Sequence, residues 1–132
     1  MAKRGQKTII RDAHFPQRAP IEAYGNGGFR FADMSHRGSL ICVPDGMHGW
    51  DLVSSTDFNL DCFQQVLDQS DEIEILIIGT GTSLVPLPDE IRSVFREHGI
   101  MADVMATGHA VRTFNVLLDE NRAVAAAILA VE

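Results

Sequence analysis

The sequence predicts one α/β domain of three layers: a mixed, mostly parallel sheet flanked by helices, with an N-terminal antiparallel β-hairpin or small second sheet at one side. Two observations carry this. From Ile73 onward, strand-length apolar runs alternate with helix-period stretches in the order strand, helix, strand, helix, strand, as crossover connections around a parallel sheet require. Ahead of them lies a glycine-rich region of short strands, with Phe29, Arg30 and Phe31 alternating as a strand with one buried face, which reads as an antiparallel addition. A chain of 132 residues, 45% hydrophobic and 22% charged, has the size and balance of one globular unit that needs no cofactor to fold.

Residues 1–19 lack hydrophobic periodicity and read as a basic, partly ordered arm; the domain proper spans residues 20–132. Ile21 to Tyr24 suit a short strand. Gly25, Asn26, Gly27 and Gly28 then supply the positive φ angles of a tight reversal into a second strand at Phe29, Arg30 and Phe31. Asp33 to Arg37 read as a turn, Gly38 to Val43 as a strand ended by Pro44, and Asp45 to Asp57 as a loop pinned by Trp50.

A first helix is expected over Leu60 to Asp68, with Asn59 as its cap and Leu60, Phe63 and Leu67 on one face. Ile73 to Ile78 lack alternation, as in a central strand covered on both sides. Pro88 opens a second helix whose buried stripe is Ile91, Val94 and Phe95, with Asp89 and Glu90 at its positive end and Gly99 as its stop. Ile100 to Met105 form a strand. Thr107 caps a third helix with apolar face Ala110, Val111, Phe114, Leu117 and Leu118, and Ala123 to Val131 form the last strand, for which either direction is compatible with the pattern.

Charge is unevenly divided. Five of the 11 basic residues fall in the first 18 positions, whereas from Ala19 onward six arginines face 17 acids. A body so acidic repels phosphate backbones, which argues against nucleic acid as a partner. The apolar run Ala123 to Val131 is about half of the roughly 20 residues a spanning helix needs, and the N-terminus has no sustained apolar core, so a soluble, intracellular protein is expected. Cys42 and Cys62 lie in apolar surroundings and read as small thiols in a reducing compartment.

No complete catalytic constellation is visible, and no catalytic residue is assigned. His36, Cys42 and His48 follow one another with five residues between each, a spacing that matches no structural zinc pattern, so no metal site is expected. No lysine follows Lys7, which excludes a phosphate-loop lysine and a Schiff-base lysine in the core; His98, His109 and the serines lack a triad or nucleophile-elbow context. The loop Gly79, Thr80, Gly81, Thr82 and Ser83 leaves a central strand with amides and hydroxyls that suit an anion, although the third glycine and immediate helix of a dinucleotide fingerprint are missing. Arg112 and Asn115, three apart on the third helix, form either a solvated face or a recognition edge. With Gly79, Thr80, Gly81 and Thr82 they make up the candidate ligand-binding set.

The combination of Tyr24 to Phe29, Gly38 to Ile41 with Pro44 and Trp50, Ile77 to Gly81, and Ala110 through Thr113, Phe114 and Asn115 resembles the small single-domain family of mitochondrial complex I assembly factor 3 and its prokaryotic relatives, over roughly residues 20 to 131. The resemblance implies the same three-layer fold, no established catalysis and no cofactor. It also implies a role in building the respiratory NADH:ubiquinone oxidoreductase through contacts with its subunits or other assembly factors, with any membrane association peripheral and made through those partners. The short N-terminus lacks a mitochondrial presequence, which points to a bacterial cytoplasmic protein. The other reading is a binding protein or enzyme for a small anionic metabolite at the loop Gly79 to Ser83.

Overall fold

The computed structural model describes residues 14–132, and these described residues form nine strands in two sheets. The strands are β1 (His14–Phe15), β2 (Ile21–Gly25), β3 (Gly28–Phe31), β4 (Met34–Arg37), β5 (Ser39–Val43), β6 (Gly46–Trp50), β7 (Ile75–Gly79), β8 (Met101–Met105) and β9 (Val124–Ile128). Three α-helices accompany them: α1 (Gln64–Asp68), α2 (Asp89–Glu97) and α3 (Thr107–Asp119). Lys3, Arg4, Lys7 and Arg11 of the expected arm lie outside the described residues, while its end, His14–Phe15, pairs with β6.

The large sheet runs β1-β6-β5-β9-β7-β8, and the small one β2-β3-β4. Parallel pairing is confined to β9-β7-β8, the crossover half, and the pairs on the β5 side are antiparallel. β9 therefore has both relations at once. It is parallel to β7, with Ala126 opposite Ile77, and antiparallel to β5, with Ala126 opposite Cys42.

Each face of the large sheet carries its own core. Ile41, Leu76, Ile78, Ala125 and Ala127 pack with Val66, Ile91 and Phe95 from α1 and α2. Leu40, Cys42, Ile77, Ala126 and Ile128 pack on the other side with Ala110, Val111 and Phe114 of α3 and with Ile21, Phe29 and Phe31 of the small sheet. The three layers are thus α1 and α2, the large sheet, and α3 beside the small sheet.

Two expected coil segments are strands. Met34–Arg37 is β4, because Ala32 and Asp33 take φ of 48° and 61° and complete the reversal in two residues, the turn that suits a tight hairpin. Gly46–Trp50, inside the expected Asp45 to Asp57 loop, is β6; two glycines hide its alternation, but Leu40 pairs with Gly49 and Cys42 with Met47. Trp50 is the expected anchor, donating from Nε1 to Cys62 O at 2.7 Å and stacking near Phe58 and Phe63.

Helix starts also differ in detail. The first helix divides into a 3-10 turn, Asp61–Phe63, and α1, with Asn59 Oδ1 accepting from Cys62 N at 2.9 Å as a cap would. Pro88 precedes α2 with ψ 140°, and Ala106 precedes α3, so Thr107 is already helical and its hydroxyl is used elsewhere.

Phe114 is fully buried between α3 and the sheet. Phe114→Ala is expected to cost about 3–5 kcal/mol, a large share of the roughly 5–15 kcal/mol typical of a domain. Urea unfolding monitored by circular dichroism checks it; a loss under about 1 kcal/mol would mean the ring is not a core residue.

Candidate functional site

The loop after β7 turns on glycines for two different reasons. At Gly79 a Cβ would lie 2.7 Å from Ile128 Cγ2 and 3.1 Å from Ala110 Cβ, so α3 and β9 can close over the strand only because no side chain is there. Gly81 takes φ 101°, which glycine adopts without strain.

The polar groups expected to meet a ligand are engaged within the protein. Thr80 N donates to Met105 O at 2.9 Å, its Oγ1 donates to Ser83 O at 2.7 Å, and Val85 N donates back to that hydroxyl at 3.0 Å. Gly81 N donates to Thr107 Oγ1 at 3.1 Å, while Thr107 N returns to Gly81 O at 2.8 Å. Thr107 Oγ1 also donates to Leu129 O at 2.7 Å. One buried hydroxyl thereby joins the exits of β7 and β9 and the first turn of α3. Thr82 and Ser83 are exposed.

Arg112 and Asn115 do not form one outward face. Asn115 is half-buried, and its carboxamide accepts from Ile21 N at 2.8 Å and donates to Ile21 O at 2.9 Å, as a neighbouring strand would. This binds the first strand of the small sheet to α3. Arg112 is exposed, with Nη2 3.4 Å from His109 Nδ1. Concavities of about 320, 300 and 350 Å³ open on the surface, and none is lined by Gly79, Thr80, Gly81, Thr82, Arg112 or Asn115.

The 320 Å³ concavity lies on the small sheet and includes Arg30, Ser35 and Arg37. In the sequence Arg30 reads as the middle residue of the strand Phe29, Arg30 and Phe31, and Ser35 and Arg37 fall in the expected turn Asp33 to Arg37; the alternation of exposed Ser35 and Arg37 with buried His36 is the feature that marks them as a strand face. His36 Nε2 donates to Ser39 O at 2.9 Å, leaving Nδ1 buried without a hydrogen-bond partner among the described residues.

Cys42 packs with α3 and the small sheet, whereas Cys62 lies by the core of the opposite face, so the two thiols cannot meet. Cys42 and Met47 are partners across β5 and β6, which sends His48 to the other face from Cys42; His48 Nε2 pairs with Asp45 Oδ1 at 2.8 Å. Among the described residues no group of three or more His, Cys, Asp or Glu side chains is placed to hold a metal ion.

Three measurements follow. Thr107→Val should cost about 2–3 kcal/mol, since two buried backbone groups lose their partner; a thermal melt that is unchanged would refute the role of that hydroxyl. Asn115→Ala should destabilise by about 1–3 kcal/mol, against about 0.5 kcal/mol or less for exposed Arg112→Ala, so equal melts for the two variants would contradict this geometry. Burial pushes the Cys42 thiol far up, so the folded chain keeps a proton that the unfolded chain releases above about pH 8.5. Stability is then full below that pH and falls above it by about 1.4 kcal/mol per pH unit. Cys42→Ala should flatten the slope in urea titrations between about pH 8.5 and 10; an unchanged slope would assign it to another group.

The chain is 34% identical over 119 residues to an uncharacterised protein of Rhodobacter capsulatus, covering 90% of each. It is 29% identical over 126 residues to the mouse protein named NADH dehydrogenase [ubiquinone] 1 alpha subcomplex assembly factor 3, covering 94% of this chain and 68% of that one. The Xenopus tropicalis protein of the same name is 33% identical over 109 residues, and this chain spans only 60% of its length. Among solved structures, a Bartonella henselae protein described as an outer membrane protein is 59% identical with TM-score 0.86, covering 89% of this chain and 99% of that one. The Rhodopseudomonas palustris protein Rpa2829 is 40% identical with TM-score 0.82, covering 100% of this chain and 93% of that one. A Bordetella pertussis structure described as an Mth938-like domain shares the fold at 20% identity and TM-score 0.75. The family described as protein of unknown function (DUF498/DUF598) matches residues 21–129, and this chain belongs to it.

Proposed function

We propose that this chain is a non-enzymatic assembly factor that works through protein contacts in building the respiratory NADH:ubiquinone oxidoreductase, from the cytoplasmic side of a bacterial membrane. The observation that carries the reading is the 29% identity to the mouse assembly factor, sustained over 94% of this chain and so over the whole three-layer fold. The absence, among the described residues, of a helix long and apolar enough to cross a membrane is compatible with contact through partners. The engagement of Thr80 N, Gly81 N and the Thr80 hydroxyl inside the protein supports contact by surface more than capture of a small anion at that loop.

Affinity capture from the native host tests the reading. Respiratory complex subunits or their assembly intermediates should be recovered with the tagged chain, and a deletion strain should show reduced complex I activity in membranes. Normal activity in that strain, together with reproducible failure to recover such partners, would reject it. A thermal-shift screen of anionic metabolites tests the competing reading: a hit abolished by Gly81→Ala but not by substitutions elsewhere would favour the loop.

A further inference from the structure

We propose that the outer face of the small sheet is the partner-binding surface, and that it takes an extended acidic segment of a partner protein whose carboxylates alternate along the chain. This rests on reading the protein as a factor that acts through protein contacts.

The inner face of β2-β3-β4 is committed to the core through Ile21, Phe29 and Phe31. Registers fix the other face: Arg30 stands opposite Ser35 and Ala23, and Arg37 stands opposite Gly28. Arg30 and Arg37 are therefore diagonal neighbours, about 7–8 Å apart along the backbone and somewhat less between Cβ atoms by sheet geometry. The floor around them is bare. Gly28 is held to glycine because a Cβ would run into His36 O on the adjacent strand, and Ala23 and Gly25 add little height. The result is the open concavity of about 320 Å³ with two arginines standing at its corners.

Neither arginine meets a carboxylate among the described residues. Arg30 Nη1 donates to Ser35 Oγ at 3.2 Å, and among the described residues neither Arg30 nor Arg37 joins an ion pair. Elsewhere Arg92 is bonded to Ala102 O at 2.8 Å and Arg122 lies 3.8 Å from Glu74. In a body where 17 acids face six arginines, an acidic partner is repelled by most of the surface, and a face on which two arginines stand together is a place that attracts it.

The spacing favours a chain over a small anion. Same-face side chains of an extended segment repeat every 6.6–6.8 Å or so, close to the diagonal of the two arginines, and each guanidinium can take a carboxylate through two parallel hydrogen bonds. The concavity is open, so a small anion would remain hydrated on most sides, whereas a peptide can lie across it.

The probe is a peptide of alternating Glu and Thr, titrated into the full chain at low salt and followed by amide chemical shifts. Saturable shifts should centre on Gly28, Arg30, Ser35 and Arg37 and weaken with added salt. The double variant R30Q/R37Q should bind roughly tenfold more weakly, about 1.4 kcal/mol, while R30K/R37K, which keeps charge but not the planar fork, should fall between. A Gln-Thr peptide should not bind. The inference is overturned if shifts map elsewhere or do not saturate, if R30Q/R37Q binds as tightly as the wild type, or if inorganic phosphate at matched ionic strength gives the same shifts at the same affinity, which would make this a small-anion site. If R30Q/R37Q fails to fold, the wild-type shift map decides alone. Capture from the host separates this from the broader reading: respiratory partners recovered equally by R30Q/R37Q would sink the acidic-segment surface and leave the assembly role standing.

Discussion

The insertion of β9 between β5 and β7 is the constraint on which the rest of the structure depends. Val124–Ile128 is the last strand in the chain, yet it occupies an interior position of the large sheet and is fully buried along its length. It alone joins the antiparallel half to the crossover half: β5 and β6 have no other strand contact with β7 and β8 among the described pairings. Three consecutive alanines suit the position, since Ala126 faces the α3 core while Ala125 and Ala127 face the core of α1 and α2. Small side chains on both faces let helices on either side approach a strand that is covered twice. Because the pairing with β5 spans most of the chain, its loop-closure entropy must be offset by contacts that form only when the whole domain assembles.

Around that strand, polar side chains in the connections join layers. The Thr107 hydroxyl serves Gly81 N and Leu129 O together, and Asn115 presents to Ile21 the donor and acceptor that another strand would have presented. Arg18 reaches across to Val124 O at 2.9 Å at the start of β9. Each of these bonds lies where backbone groups leave a regular ladder and would otherwise face a partly buried environment without partners. Hydroxyls and amides beside a glycine-rich strand exit have the same appearance in a sequence whether they are spent on a ligand or on the backbone of the next layer.

That ambiguity marks the limit of what was legible. Elements whose signal is local and redundant were readable: the Asn26 and Gly27 reversal, with φ of 52° and 80°, the apolar face of α3, and the stripe Ile91, Val94 and Phe95, of which Ile91 and Phe95 are buried and Val94 is half-buried. The layer arrangement followed from the order of β7 to β9 because crossover handedness leaves few alternatives. β4 and β6 were hidden, since Met34 to Arg37 and Gly46 to Trp50 owe their extended form to partners across the sheet and only weakly to their own side chains. The candidate set showed the same asymmetry. Helical spacing makes Arg112 and Asn115 neighbours, but which of them faces solvent depends on where β2 docks, a contact 94 residues away in sequence.

The edges and faces left over decide how this fold can meet another protein. A sheet edge invites strand addition, and side chains occupy part of two of the edges here. Arg92 occupies the carbonyl of Ala102 on β8, and Asn115 occupies both backbone groups of Ile21 on β2, while β4 is the other outer strand of the small sheet. The faces of the large sheet are buried under helices and the small sheet. Beside the β4 edge lies the outer face of β2-β3-β4, where side chains and not backbone set the chemistry, and where a glycine kept by the close approach of β4 leaves room for Arg30 and Arg37, neither in an ion pair among the described residues. Recognition there depends on the spacing of charges across a twisted pair of strands. That spacing is a consequence of register, and register is in turn fixed by Phe29 and Phe31 entering the core on the opposite side.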